Sequence, residues 1–284
     1  MAFKAVFKSA SHFEEILTVL KKVVGDKGVS ELTFSTEDGL NCACPSANQT
    51  SMVQVIAGAG VFASLEHTDN DEGDSGEAVS VFVNPKLLKN FMASLSGFGQ
   101  IRVTHNKWND PDNLMLEGYS DSPLKHVEMK FHLSENPNHG TSFTGRKVVV
   151  ATKLTMPSER AVRIIADLIN IKAQSFIMRL SKSDPTLRTV VLASGDTEDK
   201  DCTTKHVLAP SAKNGISVVT SKVNESEFYY PVSCLAEARF SIERCEKVSF
   251  ITEMPSPEGI SYFTVYCPLV SGVTVCHILC PLIE

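Results

Sequence analysis

No apolar run in the 284-residue sequence approaches the roughly 18 residues of a membrane-spanning helix. The longest candidate, VTVCHILCPLI, is broken by His277 and Pro281. The N-terminal stretch MAFKAVFKSASHFEEIL lacks the long apolar segment and small-residue cleavage site of a secretory signal. These absences predict a soluble, intracellular chain whose eight cysteines are reduced. There is no G-x-x-x-x-G-K-[ST] loop, no G-x-G-x-x-G and no paired carboxylates in an apolar setting, so nothing marks a nucleotide-binding or hydrolytic enzyme. Closely spaced cysteine pairs of the zinc-site kind are also missing. Cys42 and Cys44 lie two apart, and Cys276 and Cys280 bracket CHILC around His277, which reads as small buried hydrophobes in strands. No metal or cofactor is expected. Basic residues are outnumbered, 27 against 33 acidic, for a formal net charge of −6. That balance excludes a protein that coats nucleic acid over its whole surface and leaves room for a local basic strip.

The hydrophobic content, 43%, supports one large core or two domains of about 140 residues. Most of the chain alternates in strand fashion, as in GLNCACPS, SMVQVIAG, AVSVFVN, QIRVTH, NLMLEGY, VEMKFHL, TVVLASG and YFTVYCPL. Four short segments have helical spacing instead: Ser11 to Val24, Pro85 to Leu95, Pro157 to Asn170 and Pro231 to about Ile242. They form two matched pairs. A shift of 148 residues lays Phe13, Ile16, Leu17 and Leu20 over Ala161, Ile164, Ile165 and Leu168. A shift of 147 lays Leu88, Phe91 and Leu95 over Leu235, Ala238 and Ile242. The spacing predicts a duplicated unit of about 140 residues, hence an α+β chain of two tandem similar domains, each with antiparallel sheets and two helices.

The expected boundaries are 1–133 for the first domain, 134–146 for a connector and 147–284 for the second. The connector, SENPNHGTSFTGR, is rich in turn formers and holds an unassigned Phe143. EHTDNDEGDSGEA and GDTEDKDCTTKH read as solvated acidic loops at comparable places in the two halves. The first contains GDSG around Ser75, the core of a serine-protease motif, but a nucleophilic serine needs a histidine base and a buried aspartate, and no partner motif accompanies it. The overlapping DNDEGD has its glycine out of register for a calcium loop, with Ser80 where the closing glutamate belongs.

The polar faces of the helices remain. On a helical wheel Lys22, Lys86 and Arg163 lie opposite the apolar stripes of the first three helices, with Lys21, Lys89 and Arg160 beside them. Glu14, Glu15, Glu159 and Glu237 share those sides, so an ordinary mixed-charge surface is the simpler reading of any one helix.

Several stretches, in order along the chain, resemble sliding clamps of the proliferating-cell-nuclear-antigen family. They are FKAVFKSASHFEEILTVLKKVV, DGLNCACPSANQTSMVQVIAG with Gly39, Asn41, Val53 and Gln54, VEMKFHL, KLTMPSERAVRIIADL, and the tail HILCPLIE with Leu279, Pro281, Ile283 and Glu284. The resemblance implies the DNA clamp fold, with domains joined head to tail into a ring, usually of three chains. It implies no catalysis. The expected role is that of a polymerase processivity factor and docking platform for replication and repair proteins, with a subunit of a heterotrimeric DNA-damage checkpoint clamp as the alternative. Partners implied are duplex DNA bound without sequence reading, further copies of the chain, a DNA polymerase, a clamp loader and proteins with a short binding motif. The setting implied is the nucleus or an intracellular site of viral replication.

By the same resemblance Lys21, Lys86, Lys89 and Arg163 face DNA in the channel. Lys22 and Arg160 join them from the wheel, and Arg239 from the last helix. The partner-peptide pocket maps to Pro45, Gln49, Thr50, Met52, Leu133, Ile278, Cys280 and Pro281. Subunits are expected to join through edge strands at Asn113 to Tyr119 and Thr189 to Gly195, with Leu114, Leu116, Val190 and Leu192 at the interface.

Overall fold

The structure, a computed structural model, describes residues 2–45, 51–68, 78–95, 97–120, 126–135, 149–181, 188–195, 202–221, 228–255, 259–269 and 271–282. The chain divides into two compact units. One comprises Met1–Asn48, Val53–Thr144 and Ser271–Thr274, the other Gln49–Met52, Gly145–Val270 and Val275–Glu284.

In the first unit the elements are β1 (Ala2–Phe7), α1 (Ala10–Val24), β2 (Ser30–Ser35), β3 (Gly39–Pro45), β4 (Ser51–Ala57), β5 (Phe62–Thr68), β6 (Val79–Val83), α2 (Pro85–Met92), β7 (Gln100–Asn106), β8 (Asp110–Tyr119) and β9 (His126–His132). The second unit has β10 (Val150–Pro157), α3 (Ser158–Asn170), β11 (Ser175–Leu180), β12 (Val190–Ser194), β13 (Lys205–Leu208), β14 (Ser217–Thr220), β15 (Tyr230–Pro231), α4 (Val232–Ile242), β16 (Lys247–Glu253), β17 (Phe263–Pro268) and β18 (Val273–Leu279). The order of helices and strands is the same in both. So is the pairing: β5-β1-β7-β8-β9 and β4-β3-β2-β6 in the first unit correspond to β14-β10-β16-β17-β18 and β13-β12-β11-β15 in the second. The duplication expected from the helix registers is present as sheet topology.

Each helix forms where its capping and spacing lead. Ser9 accepts from the Ser11 N–H at the start of α1, and Asn84 accepts from the Leu87 N–H ahead of Pro85 in α2. Gly25, at φ 75°, ends α1 with its N–H on the Lys21 carbonyl. The expected helix to Leu95 is α-helical only to Met92 and tightens into a 3-10 turn over Ala93–Leu95. Helices α3 and α4 both follow a proline, whose fixed φ suits the turn from strand into helix. Phe13, Ile16, Leu17 and Leu20 are fully buried, as are Ala161, Ile165 and Leu168, with Ile164 nearly so.

The strands differ from expectation at one functional point. Neither Asn113–Tyr119 nor Thr189–Gly195 is an edge: β8 is paired to β7 and β9, and β12 to β11 and β13. Leu114, Leu116, Val190 and Leu192 are core side chains with no exposed area, pointing into their own unit. Their side chains leave no exposed area for another copy to cover. The terminal strand beside β8 is β9, and the one beside β12 is β13. Side chains reinforce the ladder that holds β9. Glu117 on β8 accepts from Tyr119 (2.7 Å), from His126 at the start of β9 (3.2 Å) and from Arg102 on β7 (3.2 Å). Burial opposes the charge on Glu117, but these donors outweigh it and hold the carboxyl below the usual range.

Gly39 opens β3 at φ 84°, and a Cβ there would lie 2.3 Å from the Ala57 carbonyl oxygen. Gly97 has a similar φ, 94°, but open space around it. Gly39→Ala is therefore expected to destabilise the chain by about 2 kcal/mol or more, and Gly97→Ala by only about 1 kcal/mol. Urea denaturation midpoints of the two variants check the difference; equal losses would show that the close approach at Ala57 carries no weight.

Candidate nucleic-acid interface

The four helices carry seven basic and five acidic side chains, a net charge of +2 in a chain of −6. The remainder of the chain is thus more acidic than the total suggests, and the positive charge is concentrated on helices. In the first unit α1 packs beside α2, which brings Lys21 and Lys22 onto the same helix layer as Lys86 and Lys89. In the second, α3 packs beside α4 and brings together Arg160, Arg163 and Arg239.

These cations are not equivalent. Lys22 and Arg163 are exposed, while Lys21, Lys89 and Arg160 are partly covered. Among the described residues none of these five forms an ion pair. Lys86 instead reaches the carboxylate of Asp26, in the turn after α1, at 2.7 Å. Hydrogen bonding and charge from Lys86 hold the Asp26 carboxyl below its usual range. Arg239 is paired by Nε to Glu243 Oε1 at 2.7 Å, one turn along the helix. Both pairs sit in water and are readily exchanged for another anion. Lys21 and Lys22 occupy the last turn of α1, where the helix dipole favours cations. On α3, Glu159 and Asp167 are exposed, and the latter approaches His206 of β13 at 3.5 Å. The mixed charge expected on these faces is present on α1, α3 and α4, while α2 carries no acid.

Of the residues expected to form a peptide pocket, Gln49 and Thr50 lie outside the described residues, as do Ser75, Phe143 and connector residues 136–146. Pro45 ends β3, half-buried, and Leu133 follows β9 with its N–H on the Asp112 carbonyl. Met52, on β4, is half-buried and Ile278, on β18, is buried, whereas Cys280 is exposed. Pro281 is half-buried, and the next residue, Leu282, donates its N–H to the Tyr229 carbonyl at 2.8 Å, leaving both side chains exposed at the tail. Tyr229 and Leu282 were not anticipated; their pairing is a long-range contact that no local pattern signals.

Of the Cys and His residues weighed against a zinc site and read as buried hydrophobes, all but the exposed Cys280 are core. Cys42, Cys44, Cys234, Cys267 and Cys276 are buried thiols, and burial drives Cys44 and Cys276 up to about 12. His277 is buried beneath α4, sharing a hydrogen bond with Ser241 Oγ at 2.9 Å. No group of three or more potential metal ligands occurs among the described residues.

No protein-family model matches the sequence, and no curated protein does. Among solved structures, the chain is similar to the crystal structure of Proliferating Cellular Nuclear Antigen from Entamoeba histolytica, with a TM-score of 0.69 over 99% of this chain and 99% of that one, at 15% identity. The likeness is one of fold, and it runs end to end. The chain has the α+β clamp fold of that protein.

Burial lowers the His277 pKa from 6.5 to about 4, so the ring is neutral in the folded chain. The unfolded chain binds that proton near pH 6.5, so this contribution to stability is complete above pH 6.5 and declines as pH falls toward 4. The loss is of the order of 3 kcal/mol. Comparing urea midpoints of the natural chain and His277→Gln between pH 7 and pH 4 tests this: the variant should show a flatter decline, and parallel curves would refute the assignment.

Proposed function

We propose that this protein is a non-enzymatic DNA sliding clamp whose copies join head to tail into a ring, three to a ring, around duplex DNA. The end-to-end likeness to a proliferating cell nuclear antigen carries the reading, and the concentration of basic side chains on the paired helices supports it. Cations on one helix layer meet phosphates in a way that reads no base sequence, which a moving ring requires. In this role Lys21, Lys22, Lys86, Lys89, Arg160, Arg163 and Arg239 line the channel, with Lys86 and Arg239 exchanging a carboxylate for a phosphate. The ring serves polymerase processivity and acts as a platform for replication and repair proteins, placed on DNA by a loader, in the nucleus or at an intracellular site of viral replication. Partners carrying a short motif dock on the first unit, around Pro45 and Leu133.

The copies join through β9 of one and β13 of the next. The hydrogen bond from Leu133 N to Asp112 O, with the register of β8 and β9, turns the N–H groups of Val127, Met129 and Phe131 toward β8. Those of His126, Glu128, Lys130 and His132 then point outward. Likewise Ser194 N bonds Thr204 O, which leaves Lys205 and Val207 as the outward positions of β13. The exposed Val207 side chain gains cover on pairing.

Light scattering of the purified chain over a range of concentrations should give a species of three times 31.0 kDa. Glu128→Pro deletes one outward N–H without touching the β8 ladder, so it should leave a folded monomer. A natural chain that stays monomeric would overturn the homotrimer and favour a ring assembled from different chains.

Replacing Lys21, Lys22, Lys86 and Lys89 with alanine should weaken binding to linear duplex and flatten its dependence on log salt by about 0.9 for each phosphate no longer neutralised. An unchanged salt slope in a titration from low to moderate salt would remove α1 and α2 from the DNA-facing surface.

A further inference from the structure

One row of side chains across β7, β8 and β9 carries an unbalanced charge. The register sets Arg102 opposite Glu117 and Glu117 opposite Glu128, so all three lie on one face of the sheet. Glu117 is already engaged by Arg102, Tyr119 and His126. Glu128 therefore faces a second carboxylate across the strand pair, an arrangement that is unfavourable when left alone. Lys130, two residues along β9, is held by Asp110 at 2.9 Å. Glu128 is exposed, occupies an outward N–H position on the terminal strand, and forms no ion pair among the described residues.

The terminal strand beside β12 has the opposite imbalance. Lys205 on β13 lies opposite Ala193 of β12, which in turn lies opposite Ile177 of β11. Its row holds no carboxylate. Lys205 is exposed, sits at an outward N–H position, and likewise forms no ion pair among the described residues.

We infer that β9 of one copy pairs antiparallel with β13 of the next in the register that sets Glu128 opposite Lys205, and that this ion pair selects the register. The inference rests on the ring reading and fixes what that reading leaves open, the alignment of the two strands. Every described pair in both sheets is antiparallel. In such a pairing outward N–H positions oppose one another, so His126, Glu128, Lys130 and His132 meet Lys205 and Val207. Three alignments engage both Lys205 and Val207. One sets Lys205 against Lys130, and another sets it against His132; both leave Glu128 without a cation. The third sets Lys205 against Glu128 and Val207 against His126. Its row then runs Arg102, Glu117, Glu128 and the next copy's Lys205, two cations enclosing two carboxylates. A slip of two residues in one direction brings lysine against lysine, so the register is held by repulsion as well as by attraction.

The test compares the full chain with Lys205→Glu, Glu128→Lys and the double exchange by light scattering over a range of concentrations. Both side chains are exposed, so neither substitution touches the core. Each single substitution should raise the concentration at which the trimer forms by about tenfold or more, and the exchange should restore it. A trimeric natural chain whose single variants assemble unchanged, or whose exchange is no better than the singles, would overturn the register and leave the ring reading standing. A monomeric natural chain would overturn both. So would a species of two chains indifferent to Lys205→Glu, as pairing of β9 with a second β9 would give. Cross-linking reads the alignment directly, because opposed residues of a hydrogen-bonded pair lie about 5.5 Å apart, within disulfide reach. In a Cys202→Ser, Cys280→Ser background, Glu128→Cys with Lys205→Cys should link copies on mild oxidation, and Lys130→Cys with Lys205→Cys should not. The reverse pattern would overturn the register.

Discussion

Burial of one narrow stripe on each helix decides the rest of this molecule. Phe13, Ile16, Leu17 and Leu20 in α1, and Ala161, Ile164, Ile165 and Leu168 in α3, give up nearly all contact with water. At roughly 25 cal/mol per Å² of apolar surface, no helix of this length can turn that face outward and remain folded. The opposite face is thereby assigned as well. Lys22 and Arg163 are exposed because the stripe is not, so the location of the basic surface is a by-product of core packing. The same holds for α2 and α4, which lie beside them and complete each layer.

That constraint is also why the helices were legible in the sequence. A 3.6-residue period is a local signal, and the four segments end within a few residues of where their caps and prolines place them. The repeat was legible for the same reason, since two stripes at a fixed offset require two similar beds. Strand boundaries in GLNCACPS, QIRVTH and YFTVYCPL were close to those found. Yet alternation says which side chains point inward, not which strand lies next to which. Leu114, Leu116, Val190 and Leu192 illustrate the difference: their inward spacing was clear, and their place at an edge was not.

An edge does leave a chemical trace. Along β9, His126, Glu128, Lys130 and His132 alternate with less polar residues, and Phe131 alone in the strand is buried. Charge at every second position is how an unpaired strand avoids indiscriminate association. In β13 the trace is fainter, since the strand is only four residues long and carries Val207 outward.

The two halves built on one plan have diverged in a specific way. All four candidate cations of the first unit are lysines, and all three of the second are arginines. An ammonium is a compact charge with little directional demand, whereas a guanidinium offers a planar fork that matches two phosphate oxygens at once. Around a moving backbone, lysines can release one phosphate and accept the next with little loss of alignment, while each fork must break and re-form its geometry. In the proposed clamp role the two units would thus be unequal bearings, the lysine one slippery and the arginine one with friction.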